Sequence, residues 1–196
     1  MELLQGLQQR VSTPRLTEPA PDARQLEQIF QAALRAPDHA RLRPWRFLTV
    51  AGEARHALGE VFARVALEDQ PDLAPEAIAR FKALPLRAPL LVALVCKITK
   101  HPKVPDIEQQ LSVAAAAQNI LNAAYALGVG AMWRTGSVSY HPATASALGL
   151  ARHEQLLGFI YMGTPSGSAK KLEPLETKDY VMAWQDQASS QRVTGE

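Results

Sequence analysis

The sequence contains one cysteine and lacks the patterns that mark most metal sites. Cys96 stands alone in a chain of 196 residues, which excludes an intramolecular disulfide framework and a cysteine-cluster metal site. It lies in the apolar stretch LLVALVCK, where we expect it to be a small core residue. No H-E-x-x-H pattern occurs, and no two of the five histidines have ligand spacing on one helix. We therefore expect no metal site.

Glycine-rich phosphate loops are absent as well. The sequence contains neither G-x-G-x-x-G nor a Walker A pattern, which excludes the most common dinucleotide and nucleotide cradles. The G-x-S-x-G pattern of serine hydrolases is also missing. Any hydride or nucleotide chemistry must therefore use a different arrangement to hold a phosphate.

The charge balance argues against nucleic acid and membrane partners. The formal net charge is +2, and the basic residues are scattered except within 35–46, whereas nucleic-acid binders concentrate theirs in a patch. The N-terminus lacks the basic start and apolar block of a signal peptide. Residues 109–133 carry no charge, but their three Gln, two Asn and many Ala do not suit a membrane-spanning helix. We expect a soluble, cytoplasmic protein.

The apolar periodicity predicts alternating helices and strands. We expect helices over 2–9, 22–34, 54–65, 75–84, 106–127 and 142–148, and strands over 46–51, 88–97, 129–133 and 156–163. Asp22 and Gln25 form a capping-box pattern at the second helix. The continuously apolar 88–97 predicts a central strand covered on both faces. RVSTPRLTEPAP carries three prolines, so we expect no regular structure there.

This interleaving predicts an α/β or α+β fold with helices on both faces of the sheet. Three groups of residues stand where such elements end: Arg10 with Ser12, Arg35 with His39, and WRTG at 133–136. Arginine suits planar, bidentate phosphate binding, and hydroxyls add neutral donors. Composition alone leaves the alternative open that the arginines only complement helix dipoles and that Trp133 is a core residue.

The ordered set of these segments resembles a known family. RVSTPRLTEPAP, RAPDHARLRPWRFLTV, RAPLLVALVCK, KVPDIEQQLSVAAAAQNILNAAYALGVGAMWRTG and GFIYMGTP are similar, in order and spacing, to the FMN-dependent nitroreductases, especially the smallest bacterial members. The resemblance covers about residues 2–165. It implies an α+β sandwich, with a central mixed or antiparallel sheet flanked by helices, in an intertwined homodimer. It further implies one domain over 1–196, whose C-terminal arm, about 165–196, packs on the partner subunit.

The resemblance also implies a set of cofactor-binding residues. It assigns FMN binding to Arg10, Val11, Ser12, Arg35, His39, Trp133, Arg134 and Thr135, with Arg35 and His39 serving the flavin of the partner subunit. It assigns NAD(P) to the end of the long helix, at Ala123, Ala124, Tyr125, Ala126, Leu127 and Gly128.

The chain departs from the family pattern in places. Val11 stands where subgroup members often have Arg, Pro14 where larger relatives have Lys, and Arg43 where Gln is common. Arg15 replaces the missing cation only if the loop turns it inward.

The implied activity is that of an NAD(P)H-dependent flavin oxidoreductase. A nicotinamide would reduce FMN, and an acceptor such as a nitroaromatic, a quinone or an enal would then take the electrons in the same pocket. Because the flavin carries the chemistry, we nominate no side chain as catalytic. Two alternatives stay open: a non-enzymatic FMN-binding dimer for flavin storage or sensing, and a dimer of this shape that has lost FMN.

Overall fold

The computed structural model describes residues 2–168 and 171–184 and places an antiparallel sheet between two helical layers. The helices are α1 (Leu3–Gln9), α2 (Ala23–Ala33), α3 (Glu53–Asp69), α4 (Pro75–Ala83), α5 (Asp106–Ala126), α6 (Ser137–Tyr140) and α7 (Pro142–Ala147). The strands are β1 (Leu16–Thr17), β2 (Trp45–Ala51), β3 (Leu90–Lys97), β4 (Gly130–Arg134) and β5 (Glu154–Pro165). Short 3₁₀ turns lie at His39–Arg41, Leu84–Arg87 and Thr177–Asp179.

The sheet has the order β2-β3-β5-β4, and the short β1 pairs with the end of β5. Every strand pairing in this part of the chain is antiparallel. Strand β3 lies between β2 and β5, and its residues from Leu90 to Cys96 are buried. The predicted central strand, covered on both faces, is confirmed, and Cys96 is a core residue.

The two faces of the sheet carry separate cores. On one face, Leu94 and Ile160 pack with Ile29 of α2 and Ile120 of α5. On the other face, Leu91, Val95 and Phe159 pack with residues of α3, of which Phe62 meets Phe159 edge to face at 5.6 Å between ring centroids. Alternation along a strand sends successive side chains to opposite faces. Successive residues of β4 therefore face two different cores.

Local sequence signals fix two helix ends. The side chain of Asp22 accepts a hydrogen bond from Gln25 N at 2.7 Å, and Gln25 Oε1 accepts one from Asp22 N at 3.0 Å, which confirms the predicted capping box. At the end of α5, Gly128 has φ +74°, a left-handed conformation that glycine adopts without strain. The chain therefore turns sharply from α5 into β4.

One expectation about the proline-rich stretch is wrong. Within RVSTPRLTEPAP, Leu16 and Thr17 form β1 by pairing with Pro165 and Thr164 of β5. Two residues are enough for this pairing because the prolines lie outside it. The prediction failed since so short a strand has no periodicity of its own, and the partner strand alone defines it.

Strand β5 also begins two residues earlier than predicted, because Glu154 pairs with Lys97 in the ladder. The Glu154 carboxylate accepts two hydrogen bonds from Arg46, at 2.8 and 2.6 Å. These bonds hold the pKa of Glu154 below its usual range. Arg46, one of the basic residues of the 35–46 stretch, is therefore part of a structural ion pair.

The predicted C-terminal arm begins at the end of β5, and its residues 171–184 are exposed throughout. Its residues 169–170 and 185–196 lie outside the described residues. None of the helices described has the length and apolar character needed to cross a membrane. Within the same ranges, no group of histidine, cysteine or acidic side chains has the arrangement of a metal site.

Candidate functional site

The first arginine-bearing loop, residues 10–15, is fixed directly to the sheet. Thr13 N donates a hydrogen bond to Ala131 O of β4 at 2.9 Å, and Ser166 N donates one to Arg15 O at 3.1 Å. A side chain at Gly130 would collide with the side chain of Leu16, so this glycine allows the loop and β1 to lie against β4. The loop therefore runs between the start of β4 and the end of β5.

A cavity of about 480 Å³ opens beside this loop, and we call it the loop cavity. Its lining consists of Val11, Ser12, Thr13, Pro14, Arg15, Tyr125, Gly128, Val129, Gly130, Pro165, Ser166, Gly167 and Ser168. The lining offers the hydroxyls of Ser12, Ser166 and Ser168 together with the guanidinium of Arg15. No carboxylate is among the described residues that line it. One cation, several hydroxyls and backbone N–H groups suit an anion such as a phosphate.

A second cavity, of about 300 Å³, lies against the face of β4 and β5 that packs on α3, and we call it the arginine pocket. It is lined by Phe62, Leu84, Arg87, Met132, Trp133, Arg134, Thr135, Val138, Ser139, Phe159 and Tyr161. The guanidinium of Arg134 lies 5.4 Å from the centre of the Tyr161 ring. Its Nη2 donates a long hydrogen bond of 3.4 Å to Pro14 O. This bond joins the arginine pocket to the loop of the first cavity.

The arginine pocket concentrates positive charge. Burial, and then the neighbouring Arg87, lower the pKa of Arg134, while Tyr161 opposes that shift. Burial also raises the pKa of Tyr161 to about 12, with the two arginines acting against it. Tyr161 is therefore a neutral hydroxyl at physiological pH, and the arginines are cations. Within the part of the chain described, neither Arg87 nor Arg134 forms an ion pair.

The second arginine-bearing loop, residues 38–43, has an unusual backbone. Ala40, Arg41 and Arg43 have φ values of 62°, 55° and 49°, a region that residues other than glycine seldom occupy. The Asp38 carboxylate holds this conformation by accepting hydrogen bonds from Leu42 N at 3.1 Å and Arg43 N at 2.7 Å. Backbone strain of this kind clusters at functional sites. The loop is therefore a candidate binding segment.

The side chains of this second region do not reach either cavity. His39 Nδ1 lies 2.7 Å from Glu108 Oε2 of α5, at the edge of a shallow groove that also includes Leu111. Arg35 is exposed just after α2. In one chain, Arg35 and His39 are therefore separated from the loop cavity and the arginine pocket.

The structure brings some of the predicted site residues together and not others. Val11 and Ser12 line the loop cavity, and Trp133, Arg134 and Thr135 line the arginine pocket. Arg10 lines neither cavity and follows α1, where its backbone N–H donates to Gly6 O. Of the residues predicted for NAD(P), Tyr125 and Gly128 line the loop cavity, whereas Ala123, Ala124, Ala126 and Leu127 do not. The ligands of all these residues stay predictions.

Sequence reasoning missed Arg87, Tyr161 and the serines after β5. Arg87 could have been predicted from the sequence, because it precedes the apolar run of β3 just as Arg134 ends that of β4. Tyr161 was hidden inside an apolar strand, and Ser166 and Ser168 lie in a polar stretch with no pattern. Arg15, expected to contribute only if it turned inward, does line the loop cavity.

Comparison with known proteins now identifies the class. A model of the nitroreductase family matches residues 7–164, so the chain belongs to the nitroreductase family, and the resemblance is confirmed. The Escherichia coli (strain K12) protein named "Putative NAD(P)H nitroreductase YdjA" is 38% identical over 165 residues, covering 84% of this chain and 89% of that protein. A second relative of similar name, from Haemophilus influenzae, is 34% identical over 183 residues, covering 92% and 98%.

Solved structures show the same fold. A Bacteroides fragilis nitroreductase with bound FMN is 20% identical to this chain and has a TM-score of 0.71. The match covers 94% of this chain and 100% of that one. The predicted nitroreductase-like α+β fold, with an antiparallel sheet flanked by helices, is confirmed.

Proposed function

We propose that this protein is an FMN-dependent NAD(P)H oxidoreductase, a nitroreductase in the broad sense. The observation that carries the proposal is the connected pair of cavities. The loop cavity offers hydroxyls and one guanidinium, the arginine pocket offers two more, and the bond from Arg134 to Pro14 O joins them. Family membership and the activity named for the relatives point the same way.

FMN fits the chemistry of these residues. It carries a dianionic phosphate and a flat aromatic ring, separated by a polar ribityl chain. The loop cavity supplies hydroxyls and Arg15 without any lining carboxylate among the residues described, which suits the phosphate. The arginine pocket supplies cations next to the aromatic side chains of Phe159 and Tyr161. When bound, FMN supplies the ability to accept a hydride from a nicotinamide and to pass electrons on.

The residues of the chain would bind and orient rather than react. Ser12 and Arg15 would hold the phosphate, with Arg10 approaching from the end of α1. Backbone N–H groups at Thr135 and Gly136, together with Arg134, would stabilise negative charge on the ring after reduction. Fixed donors of this kind need no reorganisation during the reaction. No acid or base from the protein is required, and an electron-poor nitroaromatic, quinone or enal would serve as acceptor.

We further propose that the protein acts as a homodimer with the FMN sites at the interface. Leu3 and Leu4 of α1 are 75% and 68% exposed, and Ile107 and Leu111 of α5 are 55% and 60% exposed. Exposed apolar side chains on two helices mark a surface that another chain covers. Arg35 and His39 would then reach the flavin of the partner subunit. The single domain would span 1–196, and the C-terminal arm would pack on the partner.

The visible absorption spectrum of the purified protein tests this proposal. We expect a flavin spectrum that bleaches within seconds of anaerobic addition of NADH or NADPH, and the faster donor is the preferred one. A flavin spectrum that stays oxidised with both donors would favour a non-enzymatic FMN-binding dimer. No flavin, even after FMN is added, would mean that Val11 and Pro14 have removed the site and that the family resemblance describes only the fold.

A further inference from the structure

Strand β5 contains a β-bulge at the point where its neighbour β4 ends. The ladder between β3 and β5 shifts register between Ala93 and Val95. Two residues of β5, Leu157 and Gly158, lie there opposite a single residue of β3. The ladder between β4 and β5 ends with Arg134, whose partner directly follows the bulge. Bulges bend a strand, end its pairing and often lie next to active sites. This bulge lies beside the residues that follow β4.

Gly158 allows the end of β4 to lie against the bulge. A Cβ at this position would come within 2.7 Å of Arg134 O, 2.8 Å of Trp133 Nε1 and 2.9 Å of Thr135 Cγ2. Its φ of +112° also lies in a region that residues with a side chain rarely adopt. All three contacts fall on residues that the family resemblance assigns to FMN binding. A side chain at position 158 would therefore displace that segment.

The indole of Trp133 is bonded to the same bulge. Its Nε1 donates a hydrogen bond of 3.1 Å to Leu157 O, and its ring packs against the core that includes residues of α2 and α5. A tryptophan side chain has one N–H donor and no acceptor. Because this donor is already used within the sheet, the indole has no hydrogen bond to offer to a cofactor. Its hydrogen bond instead connects the end of β4 to the bulge.

We propose that the bulge at 157–158 positions the segment 134–136 for FMN. Gly158 and the indole of Trp133 are its positioning residues. The inference rests on the proposed function and deepens it, because donors in this segment are the ones that stabilise negative charge on the reduced ring. Fixed donors stabilise a developing charge only when they are already in place, and a displacement of about 1 Å removes much of the benefit.

The first test compares Trp133→Phe with Trp45→Phe. Both tryptophans are half-buried against the same core, but of these two only Trp133 donates a hydrogen bond from its indole to a described residue. We expect a similar fall in melting temperature in both variants, and a rise of about threefold in the Kd for oxidised FMN in Trp133→Phe alone. Replacing Trp133 by β-(3-benzothienyl)alanine, which keeps the shape and lacks the N–H, should give the same rise. An equal change of Kd in the two phenylalanine variants would overturn the proposal.

The midpoint potential of bound FMN reports on the position of the donors. If the segment is displaced, reduced FMN loses more binding free energy than oxidised FMN, so the potential falls. We expect the Kd for reduced FMN in Trp133→Phe to rise about tenfold more than that for oxidised FMN, a fall of about 30 mV for a two-electron couple. Trp45→Phe should leave the potential unchanged. A hydrogen bond with a purely structural role would alter stability alone, so an unchanged potential in Trp133→Phe would contradict the inference.

The second test compares two glycines with positive φ. Gly149 has φ +67°, and a Cβ there would meet no atom within 4 Å, whereas a Cβ at Gly158 would collide with the end of β4. Gly149→Ala therefore adds backbone strain alone, and Gly158→Ala adds strain and displacement. We expect both variants to melt at lower temperature and only Gly158→Ala to weaken FMN, by at least tenfold. A folded Gly158→Ala variant with the Kd of the parent would refute the inference. If that variant does not fold, the tryptophan pair decides.

Failure of the proposed function is distinguishable from failure of this inference. If the parent protein takes up no FMN, the oxidoreductase proposal fails, and so does the part of this inference that concerns FMN. The backbone amide NMR signals of Thr135 and Gly136 in the apo protein then test the positioning itself. Trp133→Phe should shift them and Trp45→Phe should not, and signals unshifted in both would show that the bulge does not position the segment. If the flavin bleaches normally with NAD(P)H and both tryptophan variants bind FMN equally, this inference is wrong and the oxidoreductase proposal stands.

Discussion

The loops at 10–15 and 38–43 both carry arginines between a helix and the sheet, but the protein holds them in different ways. The first is bonded through its backbone to β4 and β5, and its side chains line a cavity. The second is held by its own residue Asp38, contains three residues other than glycine with positive φ, and keeps its basic side chains exposed. Hydrogen bonds to the sheet therefore fix the conformation of the first loop, whereas hydrogen bonds within the loop fix that of the second.

This difference separates two ways of building a binding segment. A loop bonded to the sheet presents its side chains to a cavity of the same chain, so its chemistry is complete there. The second loop faces outward, and its strained backbone costs free energy. Such a conformation is worth keeping when it presents side chains to another subunit. The contrast therefore supports our proposal for His39, which lies in this loop and would act on the flavin of the partner subunit.

The largest expected effect concerns the loop bonded to the sheet and the strand beside it. Arg10→Ala and Arg134→Ala should each raise the Kd for FMN by about tenfold to a hundredfold, because each removes a charge-assisted contact. Neither side chain belongs to the core, so the apo proteins should melt at temperatures close to that of the parent. Quenching of FMN fluorescence during titration of the apo protein measures the Kd, and Arg24→Ala, which removes an exposed charge from α2, is the control. If both variants retain stoichiometric FMN through extensive dialysis, the proposed cradle is wrong.

The next effect concerns the carboxylate that holds the strained loop. Asp38→Ala removes the acceptor of two backbone N–H groups, and we expect the free energy of unfolding to fall by about 1–2 kcal/mol. Asp38→Asn keeps one acceptor oxygen and should lose about half as much. Urea denaturation at fixed protein concentration measures both. A stability equal to that of the parent in Asp38→Ala would show that the loop keeps its shape without the carboxylate.

The smallest expected effect is a gain in stability rather than a loss. Arg43 has φ +49°, which costs free energy for any residue with a Cβ, so Arg43→Gly should raise the free energy of unfolding by up to about 1 kcal/mol. Leu42, next to it, has φ −71°, so Leu42→Gly should lower stability instead. Thermal melts of the two variants show whether Arg43→Gly raises stability and Leu42→Gly lowers it. If Arg43→Gly is destabilising, the strain that distinguishes the two loops is not real.

The fold was predictable from the sequence where burial determines structure. The apolar runs of β3 and β5 and the capping box at Asp22 each carry a local signal that the tertiary structure only reinforces. Strand β1 was not predictable, because pairing with Thr164 and Pro165 alone defines its two residues.

The residue types of the candidate site were predictable from the sequence, but the directions in which their side chains point were not. The sequence places arginines at the ends of elements, yet only the packing of loop 10–15 turns Arg15 into a cavity and only the 3₁₀ turn before β3 brings Arg87 next to Arg134. The positive φ values at 40, 41 and 43 had no signal, since none of these residues is glycine.

The buried thiol of Cys96 has a practical consequence. Burial, with a smaller contribution from Asp106, raises the pKa of this thiol to about 11, so almost none of it is thiolate at neutral pH. Since thiolates are the species that alkylating dyes attack, the natural protein already behaves as a cysteine-free background. A cysteine introduced at an exposed position of α3, such as Ala57, would then be the only thiol to take a fluorophore or spin label, and distances between subunits become measurable without first replacing the native cysteine.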